Sequence, residues 1–384
     1  MKSVIEQQRI VDEARVFADE NIRPYASEFD ANEALPKTLI TLMGSKGYLG
    51  ASLPEKYGGL GLDPIHYGYF TEVIGKACSS TRALLTVQTS LVGETLLRWG
   101  TEQQINKYLP LLIKGEKISA FALSEPNVGS DAKSVEATYR KENGKYILNG
   151  HKKWISFAGI ADVFLVVAAC QENISAFLVD RQSPGMKVVP MRGMLAARAA
   201  HIAEIEMQEV EVPEDHLLGR EGWGLNTVVA TALNHGRYSI AWAGLAIAQE
   251  CLDAMVNYSR ERKQFGKKIY QFQLIQGLIS DAVTKVHAAR AICLRAGELA
   301  SHKDSEAIME TNIAKYFTSK VAMEVAMAAV QVHGGNGCNS KYPVERLFRE
   351  ARILEIIEGS SQIQQEIIST YGLRKYYQKN YYAK

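Results

Sequence analysis

The chain has no dominant charge. Across 384 residues, 44 Lys and Arg stand against 42 Asp and Glu, for a net of +2. That leaves no cationic footprint for nucleic acid. Cysteine is scarce. Cys78, Cys170, Cys251, Cys293 and Cys338 are odd in number, scattered, and form no C-x-x-C pair. This argues against a disulfide frame or a metal site and for reduced thiols in a cytoplasmic setting. The N-terminal residues carry acids early and no apolar h-region, so no secretory signal is expected. No uninterrupted apolar run reaches the roughly 18 residues of a membrane span, so no membrane is expected as a partner. Glycine and proline gather into no linker, and there is no internal repeat. The one biased tract is a tyrosine-rich tail, residues 371–382.

What is present is ordinary for a soluble globular protein: 47% hydrophobic and 22% charged residues, in a chain long enough for two or three domains and a large core. Val11, Ala14, Ala18 and Ile22 form a helical stripe that Pro24 ends or kinks. Residues 35–47, 66–76, 83–99 and 101–112 also read as helices. The glycine-rich stretch 54–61 fits neither G-x-G-x-x-G nor the Walker lysine pattern, so it reads better as a structural turn than as a phosphate loop.

From Lys117 the period changes. Residues 146–148, 162–169, 175–179, 186–190 and 202–212 are short runs rich in β-branched and aromatic residues, punctuated by Gly, Pro, Asn and Asp. A small antiparallel β-domain between two helical ones is the economical reading. Beyond it, Leu245, Ala248, Leu252 and Met255, then Ile275, Leu278, Ala282 and Val286, then residues 307–332 and 344–368, give four long stripes, as in a bundle. The fold class expected is α+β. A helical domain spans 1–116, a small central β-domain 117–222, and a C-terminal four-helix bundle 223–384.

Four stretches carry candidate chemistry. In the first, Glu358 follows Ile356 and Ile357 and precedes Gly359, Ser360, Ser361 and Gln362. Apolar neighbours would make the carboxylate a stronger base. The same residues also read as a helix start, with Ser360 or Ser361 capping 362–368. The second, 121–131, holds Leu123, Ser124 and Ser130 in a turn able to hold a polar ring edge or a phosphate. The third, 150–159, puts Trp154 beside Ser156 ahead of a strand; alone, Trp154 reads as a core tryptophan. The fourth, 259–268, is a basic loop with Arg262, Gln264, Phe265 and Gly266, either a diphosphate grip or a solvated connection.

Taken together, residues 121–131, Trp154-Ile155-Ser156 and Glu358-Gly359-Ser360-Ser361-Gln362 resemble, in order and spacing, the acyl-CoA dehydrogenase family of flavoproteins. The similarity runs over essentially the whole chain. It implies FAD bound without a Rossmann unit. Leu123, Ser124 and Ser130 would hold the flavin ring or the thioester arm, and Trp154 and Ser156 would lie against the isoalloxazine. Arg262, Gln264, Phe265 and Gln273 match contacts to the FAD of a neighbouring subunit, as do Gln331 and Gly335, while Ser360 and Gln362 flank the cofactor. A cofactor shared in this way implies a homotetramer or homodimer. Glu358 would be the catalytic base, since Gly236 occupies the position where some branches carry it. Arg237 and Gly359 match the thioester pocket.

The implied reaction is FAD-dependent α,β-dehydrogenation of an acyl thioester, or oxidation at the α-position if the substrate carries a heteroatom there. Electrons would pass to an electron-transferring flavoprotein or to oxygen. The loop 190–201 departs from the commoner family pattern, and its Arg198 and His201 could meet a polar acyl group or a phosphopantetheine arm. Residues 234–242, 198–201 and 336–338 are similar to the branch that acts on acyl-carrier-protein thioesters in polyketide biosynthesis. The expected substrate is therefore a short acyl group on coenzyme A or on a carrier protein, of hydroxymalonyl type. Alternatives on the same fold are a flavin monooxygenase or oxidase and a thioester reductase. A non-catalytic helical scaffold would have no use for the base and the flavin-contacting stretches together.

Overall fold

The computed structural model describes residues 2–378, and the chain divides into two compact units, Met1–Ser239 and Ile240–Lys384. The first unit opens with α1 (Val4–Asn21), started by a reciprocal cap between Ser3 and Glu6. Its stripe Val11, Ala14, Ala18 and Ile22 is fully buried. At Pro24 the chain takes one 3₁₀ turn and restarts as α2 (Ala26–Asn32), because proline cannot continue the helical ladder. Then come α3 (Lys37–Ser45) and α4 (Pro64–Ala77). The stretch 54–61 between them is a structural turn. The N–H groups of Tyr57, Gly58 and Gly61 bond to Pro54, Glu55 and Leu53 carbonyls, and a Cβ on Gly59 would lie 2.1 Å from Leu53 O.

The stripe 83–99 is not one regular helix. It runs as α5 (Ser79–Leu85), a π-helical stretch Thr86–Gly93, and α6 (Glu94–Trp99). The stretch buries four polar side chains, Thr86, Gln88, Thr89 and Ser90, and these bond outward: Thr89 Oγ1 donates to Leu49 O at 2.8 Å, and Gln88 accepts from the Ser119 backbone at 2.8 Å. These bonds supply a reason for the extra residue per turn. Helix α7 (Glu102–Ile113) closes the helical part, started by a cap between Thr101 and Gln104.

The strands follow: β1 (Ser119–Ala122), β2 (Thr138–Glu142), β3 (Lys145–Ile155), β4 (Val163–Cys170), β5 (Asn173–Asp180), β6 (Met186–Pro190), β7 (Ala203–Pro213) and the short β8 (Leu217–Leu218). They form one sheet in the order β6-β7-β3-β2-β4-β5-β8, with β1 also on β4. The sheet is mixed, which corrects the expectation of a purely antiparallel domain. Both β1 and β2 pair with β4 in parallel. One face of the sheet packs a core of Tyr139, Tyr146, Leu148, Phe164, Val166, Phe177, Ile205 and Val210.

The second unit is helical and begins within α8 (Ala230–Glu261), which is preceded by a π-helical turn, Gly224–Val229. It continues through a two-stranded hairpin, α9 (Gln273–Ser301), α10 (Ala307–His333), α11 (Pro343–Leu354) and α12 (Ser361–Lys375). The last stripe of the sequence is thus two helices, and Glu358 lies in the break. The segment Gly224–Glu261 is long and apolar enough in composition to cross a membrane, with mean hydropathy 1.2, but 72% of that window is buried inside the protein, as in a core helix. Of the tyrosine-rich tail, residues 379–382 lie outside the described residues.

Candidate active site

In the first unit, the loop and strand singled out from sequence are joined by a buried ion pair. Lys152 Nζ lies 2.6 Å from Glu125 Oε1, with side chains 0% and 1% exposed. The same ammonium donates to Leu123 O at 3.1 Å, and Lys153 N–H donates to Ser124 O at 2.9 Å. Glu125 also accepts from the backbone N–H groups of Ala137 at 2.9 Å and Glu136 at 2.6 Å. The turn 123–131 is therefore pinned to the end of β3 through charge-assisted bonds. Burial pushes the Lys152 ammonium down to about 8, against the pull of Glu125.

Where β3 ends, its register against β7 shifts between Lys152 and Ile155. Trp154 takes a left-handed backbone (φ 59°) and is 46% exposed. It is not a core tryptophan: the irregularity aims a large aromatic face away from the sheet. Lys153 Nζ sits 5.3 Å from its ring centroid. Ser124 and Ser156 are half-buried nearby in the chain, and Ser130 is exposed.

The loop 190–201 is anchored to the helical part of the same unit. His201 Nε2 accepts from Leu35 N–H at 3.0 Å, and Gly193 N–H donates to the Glu33 carboxylate at 3.0 Å. Burial holds His201 below its ordinary value. Arg198 Nε donates to Met194 O at 2.8 Å, closing its own loop. Arg237 lies half-buried on α8.

A polar seam that sequence reasoning missed runs through the helical part. Arg82, only 2% exposed, donates to Thr86 Oγ1 at 2.7 Å, and Thr86 meets Ser239 Oγ at 2.8 Å. Tyr67 OH meets Ser90 Oγ at 2.7 Å, and burial holds that phenol neutral by raising it to about 12.

In the second unit, Glu358 and Gly359 both take left-handed backbones (φ 56° and 87°). Glu358 Oε2 is shielded from solvent. Ser360 is the N-cap of α12, its Oγ accepting from Ile363 N–H at 3.4 Å. The helix-start reading of this stretch holds, and the carboxylate just before the cap is half-buried. Gln362 lies exposed in the first turn.

The basic loop is a tight hairpin, with Lys263–Gln264 paired to Lys267–Lys268. Phe265 and Gly266 at its tip are left-handed, as a two-residue turn requires. Arg262 and Gln264 are exposed, and Phe265 is 92% exposed. Gln273 is the first residue of α9. At the far end of α10, Gln331 and Gly335 are exposed. This end is tied to the end of α8: Tyr258 stacks on His333 with ring centroids 4.1 Å apart, and Asn336 Nδ2 donates to Tyr258 OH at 2.9 Å. Arg262, Gln331 and Gly335 therefore lie at one end of the bundle.

Each unit carries residues that fit a part of a flavin nucleotide. The aromatic faces of Trp154 and Phe265 are exposed, and Arg262 supplies a planar cation suited to a diphosphate. A Cβ at Gly129 or Gly335 would meet nothing within 4 Å, so packing inside the chain does not explain either glycine, and the backbone there is open to close approach. Among the described residues no cluster of His, Cys, Asp and Glu could hold a metal ion.

Comparison with known proteins agrees with this layout. The family models for the N-terminal, middle and C-terminal domains of acyl-CoA dehydrogenase match residues 5–116, 120–210 and 221–372. An acyl-CoA dehydrogenase of Bacillus subtilis is 38% identical over 364 residues, covering 94% of this chain and 96% of its own. The structure of butyryl-CoA dehydrogenase from Megasphaera elsdenii superposes with a TM-score of 0.93 at 32% identity, covering 97% of this chain and all of that one. FkbI, for biosynthesis of the methoxymalonyl extender unit of the Fk520 polyketide, superposes at 0.86 with 30% identity, over 95% of this chain and 99% of that one. The chain belongs to the acyl-CoA dehydrogenase family of FAD-dependent oxidoreductases.

Proposed function

We propose that this protein oxidises a short, polar acyl thioester, at the α,β-bond or, where the α-carbon bears a hydroxyl, at that carbon, with Glu358 as the base. The observation that carries the reading is the Glu358 turn: a carboxylate with one oxygen shielded from water, held between two helices by a left-handed backbone. Partial desolvation keeps such a group basic enough to remove a weakly acidic α-proton. FAD, when bound, supplies the acceptor for the β-hydrogen, which leaves as hydride. Trp154, Ser124, Ser156 and Leu123 would hold its ring. Arg262, Gln264, Phe265, Gln273, Gln331 and Gly335 would hold the diphosphate end of the FAD of a neighbouring subunit, and Ser360 and Gln362 would flank the cofactor. Ser130, Arg237 and Gly359 would meet the thioester, and Arg198 would shape the loop beside it. Half-buried Ile357 would help to exclude water around the base; Ile356, expected to do the same, is 54% exposed.

The acyl group would be of hydroxymalonyl type, carried on coenzyme A or an acyl carrier protein; its β-carbon is a carboxyl carbon without hydrogen, so there the base would take the α-hydroxyl proton and the α-hydrogen would leave as hydride. The similarity to FkbI supports this acyl type. Exposed Phe265 and Leu274 at the hairpin and the start of α9 support a homotetramer or homodimer. An electron-transferring flavoprotein or oxygen would take the electrons, and the free cysteines support a cytoplasmic setting.

The test is anaerobic bleaching of the bound flavin by butyryl and hydroxymalonyl thioesters, each on coenzyme A and on a carrier protein. Bleaching by a thioester, abolished in Glu358→Gln with FAD retained, is the expected result. Near-normal bleaching in Glu358→Gln would remove the base assignment. No bleaching by any thioester would favour an oxygenase or a reductase.

A further inference from the structure

We propose that Lys315, on α10, is a positioning residue for the base, because its buried ammonium fixes the left-handed turn from which Glu358 projects. The inference rests on the reading of Glu358 as the base.

The turn is strained and isolated. Glu358 and Gly359 are successive left-handed residues, the first of them with a side chain, in the break between Leu354 at the end of α11 and Ser361 at the start of α12. A conformation of this kind persists only where its surroundings over-determine it. Two buried side chains from outside the turn take the two carbonyls that follow the left-handed Cα atoms. Lys315 Nζ donates to Gly359 O at 2.6 Å, and Gln364 Nε2 donates to Glu358 O at 3.4 Å. Lys315 and Gln364 are both 0% exposed.

A lysine is costly to bury and is almost never found fully buried without partners. At 2.6 Å the bond to Gly359 O is short and charge-assisted. Together the two donors fix the peptide planes on the C-terminal side of Glu358, and so the direction in which its Cα–Cβ bond leaves the chain. Glu355 O accepts from Ser361 N–H at 2.9 Å, which closes the loop from its other side. Removing the ammonium leaves the carboxylate in place chemically and frees its backbone to rotate. A displacement of the order of 1 Å at a reacting group lowers rate by about 100-fold without a matching loss of binding.

The experiment is stopped-flow anaerobic reduction of the FAD-loaded enzyme by the thioester that bleaches wild type best, read as limiting rate and apparent Kd. Lys315→Met keeps the aliphatic stem and removes the charge. The limiting rate should fall about 10- to 100-fold while apparent Kd and FAD content stay within twofold. Lys315→Arg, which restores a cationic donor, should recover part of the rate. A Lys315→Met limiting rate within twofold of wild type overturns the inference. So does a loss confined to apparent Kd, or one that tracks FAD content. If Lys315→Met does not fold with FAD, Lys315→Gln decides on the same criteria, since its shorter amide cannot reach Gly359 O. Glu358→Gln separates the two readings. If it still reduces normally, the base assignment and this inference fall together. If it is inactive while the Lys315 variants are normal, only this inference falls.

Discussion

The Lys152 ammonium lies 2.6 Å from the Glu125 carboxylate with neither side chain open to solvent, and the pair ties the turn carrying Leu123 and Ser124 to the strand end that presents Trp154. Breaking one side of a buried pair strands the other charge and costs about 3–5 kcal/mol. Lys152→Met or Glu125→Gln alone should therefore lower the thermal midpoint strongly and loosen FAD. The double variant should regain most of the midpoint, because it leaves no stranded charge. Differential scanning calorimetry of the three variants checks this; a double variant as unstable as the sum of the singles would show that the two groups do not act as a pair.

Arg262 stands exposed at the base of the hairpin. If it grips the FAD diphosphate, Arg262→Ala removes a charge-assisted contact worth about 1.5–3 kcal/mol, or roughly 10- to 150-fold in affinity. Titration of apoprotein with FAD, followed by flavin fluorescence, measures the change. Unaltered affinity would assign Arg262 to the solvated surface.

Arg82 is a buried cation among hydroxyls, and its substitution tests whether it serves a polar acyl group or the fold. Arg82→Gln should lower kcat/KM for a hydroxymalonyl thioester by about 10- to 100-fold, the scale of one hydrogen bond to a charged group. It should leave a butyryl thioester within a few-fold. Equal losses on both substrates would show that Arg82 serves the fold and not selectivity.

His201 gives a pH dependence with a definite sign. Its folded value is held below the ordinary 6.5 by burial, so the unfolded chain takes up its proton first. Stability then falls as pH drops below about 6.5, because the unfolded state binds more protons there. His333, lowered by the same cause, adds to the effect. Melting temperatures between pH 7.5 and 5 should decline in wild type and decline less steeply in His201→Gln. An unchanged slope would mean that His201 does not contribute to acid sensitivity.

The helices and most strands were legible because burial imposes periods of 3.6 and 2 on the chain, and the stripe Val11, Ala14, Ala18, Ile22 is buried as its spacing implies. The parallel partner β1 was not, because Ser119–Ala122 is short and offers no clear alternation. The carboxylate turn at Glu358 was legible from local signals: an apolar run, a glycine, and a capping serine. Its supports were not. Glu125 meets Lys152 across 27 residues and Lys315 meets Gly359 across 44, and no local pattern marks such pairs. For Lys152 there was one usable signal. It continues the alternation Tyr146, Leu148, Gly150, with Tyr146 and Leu148 buried, so strand parity places a lysine on the inner face.

The left-handed backbone at Glu358 has a consequence for how the protein tolerates change. Glycine adopts φ 56° without the roughly 1–2 kcal/mol that a side chain costs there. As far as the backbone alone is concerned, losing the carboxylate to glycine makes the fold easier to form. Selection for chemistry and selection for stability therefore pull in opposite directions at this one residue, and relatives freed from the need for a base would be expected to drift there first.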